Sequence, residues 1–127
     1  MVERPALLTA LIILPVKYNP DPQGTRKPIE DEKFIKTAEE IAKMFGGGTI
    51  HRYPGGNVEG FWWDKDILYT DVHAVLEADV PDTTQSRTWL RTHAKKMLLE
   101  RFDQRAIYIK LVGPIEQIIV DEEQVNE

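Results

Sequence analysis

Polar and apolar side chains alternate along residues 68–80, "LYTDVHAVLEADV". The polar parity carries Tyr69, Asp71, His73, Glu77 and Asp79, and the apolar parity carries Leu68, Val72, Ala74, Leu76, Ala78 and Val80. Because successive side chains of a β-strand point to opposite faces, this pattern predicts a long strand with one face on a core. The other face would carry a row of hydroxyl, carboxylate and imidazole groups.

Two helices are predicted by apolar residues at helical spacing. The first lies in "IEDEKFIKTAEEIAKMFGGG", with acids in its first turn and Gly46 to Gly48 where a helix C-terminus needs glycine. The second lies in "DTTQSRTWLRTHAKKMLLERFDQ", with candidate N-terminal caps at Asp82 to Thr84. Both helices are amphipathic, so we expect the apolar face of each helix to pack against the apolar face of a sheet.

Shorter segments predict the remaining strands. "ALLTALIILPVKY" indicates a buried central strand, "TIHRY" a short strand, "VEGFWW" an extended stretch and "AIYIKLV" another strand. A final "IEQIIV" could pair as an edge strand. The proline-containing loop 18–28 cannot continue a strand or helix, so we expect it to be exposed and mobile, as a candidate lid.

The order strand, helix, strand, hairpin strand, helix, strand predicts an α+β fold: the ferredoxin-like split βαβ sandwich, with both helices on one face of an antiparallel sheet. We expect a single domain over residues 1–127, with a core from about 6 to 120 and a frayed acidic tail at 121–127. The polar row of the long strand would then lie in the middle of the open sheet face, beside Tyr108 and Lys110.

Charge and cysteine content narrow the classes of function. The chain of 127 residues has no cysteine, which excludes disulfides, thiolate metal sites and a cysteine nucleophile and fits a cytoplasmic protein. Its net charge of −5 disfavours nucleic-acid binding, and its apolar segments are too short to span a membrane. One cationic cluster surrounds the second predicted helix and is typical of a solvated helix face: Arg87, Arg91, Lys95, Lys96, Arg101 and Arg105.

A combination of short motifs resembles a known group of proteins. "FGGGT" ends the first helix, "GFWW" follows, and then come "YTDVHAVLEADV", a second helix and "AIYIKL". This order is similar to that of small, mostly uncharacterised bacterial and archaeal ferredoxin-like proteins, over most of residues 7–112. The resemblance implies a fold, and it implies no activity, cofactor or catalytic residue.

The polar row contains the candidate chemical groups. Asp71 and His73 share one strand face at a spacing of roughly 6.5–7 Å, so with Tyr69 they could act as acid–base catalysts. The same pair could hold a metal ion if His51 or Glu59 supplied a third ligand. Any sheet with a hydrated face also produces this spacing by chance, and the sequence identifies no cofactor.

Aromatic residues suggest that the open face is covered. Trp62 and Trp63 are adjacent, so they point to opposite faces of a strand and one should lie on the open face with Tyr108. We predict a homodimer that uses the open sheet face or an edge strand. We also predict a binding or interaction domain in which Trp62 or Trp63, Tyr108 and Lys110 contact a small molecule or partner. The alternative is a small hydrolase or isomerase that uses Asp71 and His73, with or without a metal.

Overall fold

In the computed structural model, which describes residues 5–52 and 58–122, one antiparallel sheet lies against two helical segments. The elements are β1 (Leu7–Pro15), α1 (Asp31–Phe45), β2 (Thr49–His51), β3 (Val58–Asp64), β4 (Ile67–Pro81), α2 (Thr84–His93), α3 (Leu99–Arg101) and β5 (Tyr108–Ile115). A π-helical turn, Ala94–Leu98, joins α2 to α3. The α+β class and the antiparallel sheet with two helical segments are therefore as predicted.

The described residues form five strands. The order across the sheet is β2-β4-β1-β5, and β3 pairs with β4 as well. The strand β4 is longer than its neighbours: β1 pairs with its residues 73–81, β2 pairs with 75–77, and β3 pairs with 67–73. Residues 58–72 therefore extend beyond β1 as a two-stranded arm, which turns at Lys65 and Asp66, both with positive φ.

The core lies between the sheet and the helices. Alternate residues of β1 and β4 face the helices and are at most 7% exposed: Leu8, Ala10, Ile12, Leu14, Ala74, Leu76, Ala78 and Val80. The helices contribute Phe34, Ile41, Leu90, Leu98 and Phe102. The strand parity and the helical spacing thus identified most core positions of both layers. Leu68, also on the apolar parity, is 56% exposed, because β1 does not extend along that part of β4.

Local capping signals also behave as predicted. Gly46 ends α1 with φ 93°, and its N–H donates to the Ala42 carbonyl at 2.8 Å. Thr83 precedes α2, and its hydroxyl accepts from the Ser86 N–H at 3.1 Å. Both contacts satisfy backbone groups that a helix end leaves without an intrahelical partner.

One predicted strand is absent. The segment 116–120 forms no strand: β5 ends at Ile115, and residues 116–120 are exposed. The loop 18–28 is largely exposed, as predicted, and backbone hydrogen bonds join its two ends: Tyr18 N–H donates to the Lys27 carbonyl at 2.8 Å, and Ile29 N–H donates to the Val16 carbonyl at 2.9 Å.

Within the described residues, no helix is long and apolar enough to cross a membrane.

Candidate functional site

The sheet face opposite the helices carries a row of half-exposed apolar side chains. Register places Ile13 between Tyr108 and Val75, and Leu11 between Lys110 and Glu77. Tyr108 is 62% exposed and Val112, on the same face of β5, is 47% exposed. We call this surface the open face and define it by Leu7, Thr9, Leu11, Ile13, Thr49, His51, Val75, Glu77, Asp79, Tyr108, Lys110 and Val112. The centre of the open face is apolar because β1 carries Leu and Ile on both of its faces.

The polar groups of the open face pair with one another. The Thr9 hydroxyl donates to Asp79 at 3.1 Å, and the Gln117 amide donates to the same carboxylate at 2.7 Å. His51 Nε2 lies 3.2 Å from Glu77 Oε1. These pairs occupy the side of the face nearest β2, so the apolar centre and the Lys110 side are what remain for a contact with another molecule.

The predicted catalytic residues do not lie in the middle of the open face. The strand β1 ends opposite His73, so Tyr69 and Asp71 lie on the arm, beyond the last row that β1 covers. The sequence prediction placed them centrally because it assumed that β1 pairs along the whole of β4. His73 is the one member of the predicted trio at the boundary, where its backbone is opposite Pro15.

Asp71 is held by the loop that we predicted to be a lid. Both of its carboxylate oxygens accept from the Arg26 guanidinium, at 3.0 and 3.2 Å, and one also accepts from the Val72 N–H at 2.8 Å. Burial raises the pKa of Asp71, but the hydrogen bonds from Arg26 and Val72 outweigh it, and the net pKa is below the ordinary value. Asp71 is thus an ionised anchor for the loop, with an environment opposite to that of a general base tuned towards neutrality.

His73 lies directly over a glycine of the neighbouring strand. A Cβ built on Gly60 would be 2.3 Å from His73 Cε1, far closer than such atoms approach. Gly60 therefore leaves the space that the imidazole occupies. This contact gives His73 a packing role in joining β3 to β4.

The predicted metal ligands do not converge. Within the described part of the chain, no group of three or more His, Asp or Glu side chains is placed to hold a metal ion. His51 is on β2 and bonds to Glu77, while Asp71 is engaged by Arg26. The set His51, His73 and Asp71 is therefore not assembled, and the side chain of Glu59 lies outside the described residues.

The arm exposes large apolar side chains on both of its faces. Phe61, Trp63 and Leu68 are 62%, 67% and 56% exposed and continue the helix-side parity of β4. Ile67, 51% exposed, and Tyr69, 39% exposed, continue the open-face parity. Trp63 is therefore not on the open face, and the Trp62 side chain lies outside the described residues, although its backbone pairs with Tyr69. A surface this apolar on a projecting arm is typical of a contact region.

A pocket of about 320 Å³ lies where the arm meets the loop. Lys17, Arg26, Phe61, Thr70, Asp71 and Val72 line it. The lining combines two cations and one carboxylate with the apolar side chains Phe61 and Val72. Asp71 thus lines a concave surface here, whereas Tyr108 and Lys110 do not line this pocket.

Two residues of the predicted cationic cluster differ from the rest in role. Arg101 is 8% exposed in its side chain and donates to both oxygens of Glu40, at 2.6 and 2.9 Å. Lys96 is exposed and does not line the groove beside β5 that Arg87, Arg91, Lys95 and Arg105 border. Arg87, Arg91 and Lys95 are four residues apart, and residues at this spacing share one helix face. The spacing therefore indicated that these three cations would lie together.

His93 is more deeply placed than a residue on a helix flank. It is 8% exposed, its ring stacks on Trp89 with centroids 4.6 Å apart, and its Nε2 is 3.0 Å from Glu40 Oε1. It therefore belongs to the contact between α1 and α2 and not to a surface site.

Comparison with known proteins assigns the chain to no group: no protein-family model matches it, and no significant match is found among curated proteins. The resemblance to small ferredoxin-like proteins thus stays a prediction from short motifs.

Proposed function

We propose that this chain is a non-catalytic binding or interaction domain that works as a homodimer, with the open faces of two copies packed together. The observation that carries this proposal is the half-exposed apolar centre of the open face. The sheet order, with β1 and β4 central and helices on one side, supports a ferredoxin-like sandwich, in which one face of the sheet has no helices.

The composition of β1 supports a second covering layer. Its helix-facing residues are at most 7% exposed, while Leu7, Leu11 and Ile13 on the other side are only half-buried. A sheet that faces water on one side normally alternates apolar with polar residues. On the open side of β1 only Thr9 is polar, so this side has the apolar composition of the buried part of a protein–protein interface.

Charge placement favours a second copy as the cover. Lys110 and Glu77 flank Leu11 in one row of the sheet, on opposite sides of the apolar centre. In a two-fold symmetric interface each patch meets its own copy, so Lys110 of one chain can approach Glu77 of its partner. The face is thus self-complementary in the sign of its charges.

A pair of stacked faces also leaves room for a small molecule between them. Tyr108 and Lys110 would contact it from β5, His73 from the base of the arm, and Tyr69 from further along the arm. The alternative of a hydrolase or isomerase needs a free carboxylate at Asp71, and Arg26 engages both of its oxygens. The geometry therefore favours binding over catalysis. The absence of cysteine fits a cytoplasmic protein, and the net charge of −5 disfavours nucleic acid as the partner.

Native mass spectrometry of the untagged protein tests this proposal. We expect the mass of two chains, either alone or with the added mass of a retained small molecule. Added mass that disappears under denaturing conditions would identify the ligand-binding form of the proposal. A spectrum of single chains at micromolar concentration would contradict it.

A further inference from the structure

A groove of about 450 Å³ runs between the second helical segment and β5. Its floor is apolar, and the side chains that form it are Leu90, Ala94, Leu99, Ile107, Ile109 and Leu111. Its border is cationic and carries Arg87, Arg91, Lys95 and Arg105, with no acidic lining residue among those described. We call this the cationic groove. It is on the helix side of the sheet and shares no residue with the open face.

The cations of the groove are largely uncompensated. Arg87 pairs with Asp82 at 2.7 Å. Within residues 5–52 and 58–122, Arg91, Lys95 and Arg105 have no ion-pair partner. Three like charges around an apolar floor repel one another, so an anionic occupant with apolar groups would be stabilised there.

One side of the groove is an open strand edge. The strand β5 is last in the sheet order, and in the described residues only β1 pairs with it. Its outer N–H and C=O groups can therefore receive an additional strand, which would place alternate side chains over the apolar floor.

The chain itself carries a segment of matching chemistry. Residues 116–122 follow β5 outside the sheet, and Ile118, Ile119 and Val120 are 79%, 73% and 72% exposed. The sequence contains no Lys or Arg after Lys110, and this segment includes Glu116, Asp121 and Glu122. An apolar run between acidic residues is what an apolar floor with a cationic border would accept.

We propose that the segment 116–122 of a second copy lies along β5 in the cationic groove. Within one chain the segment does not fill its own groove, because its apolar residues are exposed and Gln117 bonds to Asp79 on the open face of β4. Ile118 and Val120 would lie over the floor, and the acidic side chains of the segment would approach Arg91 and Lys95. The open face, with Glu77 and Asp79, is the less suitable acceptor for an acidic segment.

This contact is separate from the open-face dimer and does not rest on it. Two copies that exchange segments reciprocally close as a pair, whereas exchange in one direction continues as a chain of molecules. Either arrangement depends on residues of the groove and the segment alone.

Fluorescence polarisation with a labelled peptide of residues 114–127 tests the proposal on the full chain. We expect saturable binding that weakens with salt, and a peptide with serine at 118, 119 and 120 should not bind. The variant Arg91→Glu/Lys95→Glu should bind about tenfold or more weakly, because two attractive pairs become repulsive. The matched control Lys36→Glu/Lys96→Glu has the same charge change outside the groove and should bind as the wild type does.

Several outcomes would overturn the proposal. Equal binding by the groove variant and its control would place the peptide elsewhere. A chain with serine at 118, 119 and 120 leaves its groove empty, so absence of peptide binding to this chain would remove the contact. Peptide binding to the serine chain alone, with Ile13→Glu sedimenting as a single chain, would show that each chain fills its own groove. A full chain with Ile13→Glu on the open face should bind the peptide normally, so failure of the open-face dimer and failure of this proposal are distinguishable.

Discussion

Replacing Glu40 with glutamine should lower the free energy of unfolding at neutral pH by about 2–3 kcal/mol. Glu40 joins α1 to the second helical segment, since its carboxylate accepts from Arg101 at 2.6 and 2.9 Å and contacts His93 at 3.0 Å. Arg101 also donates to the hydroxyl of the fully buried Thr37 at 2.7 Å. Removing the carboxylate charge leaves a buried guanidinium without its counterion.

The pH dependence follows from the shifted pKa of Glu40. Hydrogen bonds from Arg101 lower the pKa from about 4.5 to about 2, against a smaller opposing effect of burial. A carboxyl group with a lower pKa in the folded state stabilises the fold above the unfolded pKa and loses that contribution as pH falls through the folded pKa. The loss should therefore occur between about pH 4.5 and pH 2.

Urea unfolding monitored by tryptophan fluorescence at several pH values measures this effect. Glu39→Gln is the matched control, because Glu39 is the exposed neighbour on the same helix. The wild type and the control should lose stability together as the pH falls from 4.5 towards 2. The Glu40→Gln variant should start lower and change less over that interval, and an equal response of all three proteins would refute the role of Glu40.

The largest effect on assembly is expected from Ile13→Glu, which should weaken the homodimer by about 100-fold or more. Ile13 lies at the centre of the open face, between Tyr108 and Val75. In the proposed dimer a carboxylate there would be removed from water without a partner. In the single chain the position is half-exposed, so the fold should tolerate the charge.

Sedimentation equilibrium of Ile13→Glu beside Ile35→Glu measures this effect. Ile35 is 48% exposed on α1, so the control makes the same substitution at an exposed isoleucine on the helix side of the molecule. In a chain with serine at 118, 119 and 120, which removes the proposed segment contact, Ile13→Glu should sediment as a single chain at concentrations where Ile35→Glu and the parent chain are dimers. Dissociation of the control alone would place the interface on the helices.

The secondary structure and the core were accessible from the sequence because they depend on local periodicity. Alternation in β4 identified Ala74, Leu76, Ala78 and Val80 as core residues, and all four are at most 4% exposed. Helical spacing similarly identified Leu90, Leu98 and Phe102. These patterns report which face of an element is buried, without any knowledge of its neighbours.

The site was less accessible because its contacts join distant parts of the chain. Asp71 is 45 residues from Arg26, and Glu40 is 61 residues from Arg101. Nothing in the spacing around either acid shows which cation will reach it, so Asp71 resembled a free catalytic group and Arg101 resembled a surface charge. The pairing register of β1 on β4 places Tyr69 and Asp71 on the arm and not at the centre of the sheet. No single segment of the sequence indicates this register.

Inter-chain distances measured by double electron–electron resonance show directly whether two open faces pack together. The chain has no cysteine, so Lys110→Cys on the open face and Lys36→Cys on α1 each give one spin label per chain. We expect a dimer in which the Lys110 labels are closer together than the Lys36 labels, because the helices lie on the outside. A shorter distance between the Lys36 labels, or no inter-chain distance at all, would contradict it.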